Sequence, residues 1–141
     1  MKGMSIIAKT ITRLTLGLIL LFGMYIFLHG HISHGVGFAG GVIVTLGFIH
    51  IMLAYGREET FKRIDESRSL LLQNIGLSIL VVLSVGGMFF GKPFLSNFIN
   101  TGQPYNLFSS GIIILFNAGI CIAVAGSLFL VFLTLVNYEE K

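Results

Sequence analysis

The sequence predicts an all-α integral membrane protein with four transmembrane helices and both termini in the cytoplasm, and three observations carry that expectation. The 141 residues are 55% hydrophobic and only 11% charged, with a mean hydropathy of +0.92; a soluble domain of this length carries about 25% charged residues. The charges are also clustered: at Lys2, Lys9 and Arg13, between Arg57 and Arg68, at Lys92, and at Glu139, Glu140 and Lys141. The stretches between clusters, 14–56, 69–91 and 93–138, hold no Asp, Glu, Lys or Arg, and a span needs only about 20 apolar residues.

The whole chain reads as one membrane domain. Its first span is expected over about 14–29, opening behind Arg13 and running into the polar stretch "HGHISHGVGFAGG" at 29–41. The second covers about 37–55 and stops where "GREETFKRIDESRS" (56–69) brings charge back. The third covers about 69–90 and the fourth about 109–136, joined by "GKPFLSNFINTGQPYN" (91–106). In that last connection Phe94, Leu95, Phe98 and Ile99 are spaced for a short helix lying in the interface, or for a plain apolar loop. No repeat relates the two helix pairs.

Basic residues set the orientation. With the N-terminus inside, the inner side holds Lys2, Lys9, Arg13, Arg57, Lys62, Arg63, Arg68 and Lys141, against Lys92 alone outside. The histidine–glycine stretch then faces outward. The net charge of +3 does not point to nucleic acid, because these residues flank apolar segments and form no stripe. No cleaved signal peptide is expected, since no small-residue cleavage site follows the first apolar run. Cys121 stands alone in an apolar run, so an internal disulfide framework is excluded.

The stretch 29–41 invites three chemistries. "GVGFAG" (35–40) spells the dinucleotide fingerprint, but an apolar helix precedes it where a strand is needed, and the nearest acids lie beyond another span. His29, His31 and His34 offer imidazoles, yet no Cys, Asp or Glu lies nearby to complete a zinc site. On a helix His29 and His31 diverge by about 200°; histidines capping a helix end at the interface account for them more simply. Haem ligation needs histidines at matching depths, and His50 lies near the opposite end of the second span from His29 and His31. No catalytic residue, metal or cofactor is expected, and the chain is not expected to be an enzyme.

The glycines have a packing role. Gly37 with Gly41, and Gly40 with Gly47, are spaced to line one stripe of the second helix, and Gly119, Ala123 and Gly126 repeat the device in the last. Asn117 falls on nearly the opposite side from those small residues, and a buried amide needs a partner. Neighbours on both sides of one helix are expected to come from a larger assembly. The spans carry no acid or lysine of the kind that proton pumps and antiporters use as relays. Any such groups must come from other subunits.

These residues also carry a resemblance. "FLHGHISHGVGFAGGVI" (27–43) resembles the signature of the B subunit of multi-subunit Mrp-type Na⁺/H⁺ antiporters, the MnhB family, with Gly30, His31, Gly35, Gly37, Phe38, Gly40 and Gly41 matching. "GKPF" (91–94) is similar to the family's turn after the third helix, and "LFNAGICIAVAG" (115–126) to its last-helix motif through Phe116, Gly119, Val124 and Gly126. His34 stands where the family usually has proline, Val36 where it has glycine, and Asn117 where it has aspartate. The resemblance implies an accessory subunit in a prokaryotic cell membrane, within an antiporter or the antiporter-like module of a hydrogenase-type complex. Partner subunits, the bilayer, Na⁺ and H⁺ follow from it. His31, His34 and Asn117 become ion-path candidates, and a pure scaffold role is the alternative.

The orientation has a direct check. In a Cys121→Ser background, single cysteines at Ser33 and Asn100 should react with an impermeant thiol reagent applied to intact cells, and one at Ser67 should not. Labelling at position 67 alone inverts the topology.

Overall fold

The computed structural model describes residues 4–33, 35–56, 65–99 and 110–139. Four helices make up almost all of it: α1 (Ile6–Leu28), α2 (Val36–Tyr55), α3 (Glu66–Phe89) and α4 (Ile112–Glu139). All four are long and apolar enough to cross a membrane. The chain is a multi-pass membrane protein.

Helix α1 begins eight residues before the expected span. Ser5 caps it, its hydroxyl oxygen accepting from the Ala8 N–H at 3.4 Å. Counting apolar residues marks where hydrocarbon starts, whereas a cap marks where the helix starts. Lys9 and Arg13 therefore ride on the first turns, and the Lys9 ammonium sits 5.6 Å from the Tyr55 ring centroid at the end of α2. At the same end the Met4 N–H donates to the Ala54 carbonyl at 2.9 Å, and the Asn137 amide donates to Glu66 across the α3–α4 pair. Asp65 caps α3 through the Glu66 N–H at 2.8 Å. Gly56 ends α2 at φ 89, a conformation that disfavours any side chain.

The helices pack in the order α1, α2, α4, α3, with α2 and α4 central and α1 and α3 at the edges. Helices α2 and α4 run parallel, and α1 and α3 run antiparallel to the neighbour each packs on. The expectation that the last helix needs partners from another chain is corrected here. Its small residues Gly119, Ala123 and Gly126 face α3, and Asn117 faces α2 and the turn before it. Both neighbours are this chain's own helices.

The single glycine stripe of α2 is corrected too. At about 100° per residue, Gly40 and Gly47 turn away from Gly37 and Gly41 and form a second stripe against Gly23, Phe27, Leu16 and Ile19 of α1. The α3–α4 seam is very close. A Cβ on Gly76 would collide with the Ala123 backbone nitrogen, and one on Gly126 would lie 2.6 Å from Gln73 N. Toward the end that carries Lys9, Tyr55 and Asn137 bulk replaces glycine: Met52, Phe129, Leu133 and Val136 form the buried cluster, with Phe48 and Phe132 against it.

After α3, residues 92–99 form turns and no helix. Pro93 lacks an N–H, Leu95 sits at φ 60, and the Leu95 N–H donates back to the Ser84 carbonyl at 3.1 Å. Phe98 stacks on Phe90 at 5.4 Å and fills the space over Gly86. The rest of that connection, 100–109, and the charged segment 57–64 lie outside the described residues.

Overpacking a tight seam costs about 1–3 kcal/mol. Gly76→Leu and Gly126→Leu should therefore lower the temperature at which the detergent-purified protein leaves its size-exclusion peak. Gly17→Leu should not, because nothing lies within 4 Å of a Cβ there. Equal loss in all three variants would refute the seam.

Candidate functional site

Helix α1 gives way to one 3₁₀ turn, His29–His31, whose return is held by the Ile32 and Ser33 N–H groups donating to the His29 carbonyl at 3.0 and 3.2 Å. The His29 ring folds back on α1. Its Nδ1 lies 3.0 Å from the Tyr25 carbonyl oxygen, and the two rings are 4.2 Å apart. This is the helix-end role expected of an interfacial histidine. Gly35 precedes α2 at φ 78 with open space around it, so backbone conformation and not crowding calls for glycine. His34 and the side chain of His31 lie outside the described residues.

Asn117 joins this turn to α4. Its Nδ2 donates to the Gly30 carbonyl at 3.0 Å, eighty-seven positions away in sequence. Gly30 is buried, and a Cβ there would overlap the amide. A Cβ on Gly37 would lie 2.9 Å from the Asn117 carbonyl oxygen and 3.1 Å from its side-chain oxygen. Gly30, Gly37 and Asn117 are thus one contact, built from two glycines that vacate space and one amide that fills it. Among the described residues no donor reaches Asn117 Oδ1, which leaves one acceptor beside the turn.

The same seam continues along both helices in steps of four. A Cβ on Gly41 would lie 2.8 Å from the Cys121 carbonyl oxygen, and the buried Thr45 hydroxyl reaches the Gly41 carbonyl at 2.8 Å and the Ala125 carbonyl at 3.4 Å. Residues 37, 41 and 45 of α2 thus meet 117, 121 and 125 of α4. Such close approach is how helices associate in lipid, where water supplies no drive between them.

The other candidates stand elsewhere. Gly40 faces α1 through Phe27, and Gly119 and Gly126 face α3 through Leu80 and Gln73. Phe38 is exposed on the face of the row, beside a groove of about 320 Å³ that Leu80, Ile120 and Val124 help line. Thr45 escaped the sequence reading, although it extends the Gly37–Gly41 spacing by four. So did Asn97, whose Oδ1 accepts from the Ile99 and Ile112 N–H groups at 3.3 and 3.2 Å and so caps α4 from a distant loop. No local pattern marks it. The Nε2 of His50, in the C-terminal half of α2, is buried without a hydrogen-bond partner among the described residues.

Residues 7–130 match the family described as "Domain related to MnhB subunit of Na+/H+ antiporter". The chain is 35% identical, over 141 residues, to the protein named "Putative antiporter subunit mnhB2" of Staphylococcus aureus strain Newman, with 96% of each chain covered. The proteins of that name from strains JH1 and Mu3 match to the same extent, again 35% identical with 96% of each chain covered.

The tie between the turn and α4 is testable by a double-mutant cycle. Gly30→Ala and Asn117→Ala should each destabilise the protein. Together they should cost less than their sum by about 0.6–1.7 kcal/mol, the range of such bonds in membranes, because the second removes the amide that the first collides with. Strict additivity in thermal stability would mean the two residues do not touch.

Proposed function

The chain belongs to the MnhB family, and from that membership we propose that it works as an accessory membrane subunit of a multi-subunit Mrp-type Na⁺/H⁺ antiporter. The observation that carries this is the reach of the match, which takes in both the histidine–glycine turn and the α4 segment that Asn117 anchors to it. It is a transport subunit in its family role and not a catalyst of covalent chemistry. The relatives are named as antiporter subunits, which favours an antiporter over a hydrogenase-type module. Their bacterial source supports a prokaryotic cell membrane, and the eight basic residues on one side support cytoplasmic termini.

The mechanism follows from what the spans lack. Moving a cation or proton through hydrocarbon requires exchangeable charged or polar sites, and 14–56, 69–91 and 93–138 contain no carboxylate, lysine or arginine. Partner subunits therefore hold the ionisable relay, with Na⁺ and H⁺ as the exchanged ions. This chain contributes the outer turn, held in place on α4, as one wall of the route. Asn117 is a positioning residue in this scheme, since one amide hydrogen is committed to Gly30 and its oxygen lies against Gly37 at the start of α2. His29 and His31 flank Gly30, and with the His29 ring turned back on Tyr25 it is His31, with His34 beyond it, that remains the titratable candidate next to that contact in sequence.

The scaffold reading gains from the same bond, which is a structural tie in its own right. Antiport measured in everted vesicles separates the two. Under the route reading, Asn117→Leu leaves the complex assembled but reduces exchange roughly fivefold, as loss of a bond worth about 1 kcal/mol allows. His31→Ala shifts the pH profile or the Na⁺ dependence. Assembled variants with wild-type rate and pH profile would leave only the scaffold.

A further inference from the structure

The two edges of the helix row differ in chemistry. At the α1 edge the side turned from α2 carries Leu14, Leu18 and Leu21, 71%, 69% and 62% exposed, and the nearby Thr15 hydroxyl is bonded to the Ile11 carbonyl at 2.9 Å. That edge is finished for lipid. At the α3 edge the side turned from α4 carries a groove of about 400 Å³ lined by Leu71, Asn74, Ile75, Ser78, Ile79 and Val82. Asn74 and Ser78 are exposed, and no hydrogen bond of either side chain is seen among the described residues.

Depth makes these two residues expensive in lipid. Arg68 is the last charged residue before the span and Lys92 the next after it. At 1.5 Å per residue Asn74 lies roughly 9 Å past Arg68 and Ser78 roughly 15 Å past it, the latter near the middle of a core about 30 Å thick. Elsewhere the chain hides its hydroxyls: Ser84 donates to Leu80 at 2.7 Å and Ser127 to Ala123 at 2.8 Å. An amide facing hydrocarbon has no such refuge, and polar groups at this depth are satisfied by protein.

The groove also runs along one face of α3. Its residues recur at i, i+3, i+4, i+7, i+8 and i+11, the spacing of one packing stripe. Ser69, Gln73, Gly76 and Leu80 meet α4 from the other side of α3, and of the groove residues Ile79, at its flank, also reaches α4, lying 3.2 Å from a Cβ position on Gly119. A further helix here would continue the row.

We propose that the Asn74–Ser78 groove of α3 is the docking site for a transmembrane helix of an unlike antiporter subunit. That helix presents a hydrogen-bonding side chain at the depth of Asn74 and otherwise apolar residues, while the α1 edge faces lipid. This rests on the subunit reading above.

The test uses the whole complex, with Cys121→Ser as background and a photoreactive maleimide on Asn74→Cys or, as control, Leu18→Cys. Illumination in native membranes should join position 74 to a different subunit and position 18 to none. Crosslinking of 74 to a second copy of this chain would overturn the proposal in favour of a homodimer, and adducts with lipid alone would overturn it outright. Asn74→Leu should reduce the partner retained on detergent purification roughly 3- to 15-fold, and Asn74→Gln should restore much of it. If the wild-type chain fails to co-purify with antiporter subunits at all, the subunit reading fails. Co-purification without crosslinking at 74 sinks only the docking site.

Discussion

The structure depends on how closely α2 and α4 approach each other. In water two helices are pushed together by the surface they bury, but in lipid the surroundings are as apolar as the helices, and association rests on close packing and interhelical hydrogen bonds. Gly37 and Gly41 supply the first by bringing α2 against the carbonyls of Asn117 and Cys121, and Thr45 supplies the second. Everything at the end with the histidine turn follows from this contact. Only because α2 begins so near α4 can Asn117 reach the Gly30 carbonyl, and only then is the turn between α1 and α2 held in place. At the opposite end Phe48, Met52, Phe129 and Leu133 fill the space between the same two helices.

Helix α4 is the hinge between two kinds of seam. On one side it is met by the parallel α2 in steps of four; on the other, Gly76 and Gly126 bring the antiparallel α3 nearly onto its backbone. The α1–α2 seam is looser, its closest glycine contact a Gly40 Cβ position 3.1 Å from Phe27. Tightness therefore falls from the α3–α4 pair toward α1, and the edge helix with the weaker hold is also the one that turns Leu14, Leu18 and Leu21 outward.

Much of the fold was legible because charge is so sparse. Four uninterrupted apolar runs leave few ways to thread a bilayer, and the glycines of 35–41 and 119–126 announced close packing before any partner was visible. Helix limits were less legible, since α1 continues beneath Lys9 and Arg13 and only Ser5 marks its start. Partner choice was harder still. Periodicity places residues on a face but does not say which helix that face meets, so one glycine stripe became two and an expected intermolecular contact proved internal. Asn97 was invisible for a different reason: it caps a helix fifteen positions away, and nothing in its neighbourhood in sequence refers to that helix.

The register of 37, 41 and 45 against 117, 121 and 125 limits how this chain can move. Shifting α4 by one residue along α2 would carry the Asn117 and Cys121 carbonyls off Gly37 and Gly41 and turn other α4 atoms onto glycines whose Cβ positions already lie within 3 Å of that helix. The next position of comparable fit lies a full step of four residues away, about 6 Å along the helix axis, so gradual sliding is forbidden. A displacement arising at either end of the α2–α4 pair is thus transmitted to the other as tilting or translation of a stiff unit. The histidine turn, fastened to that unit through Asn117, travels with it as a lever arm.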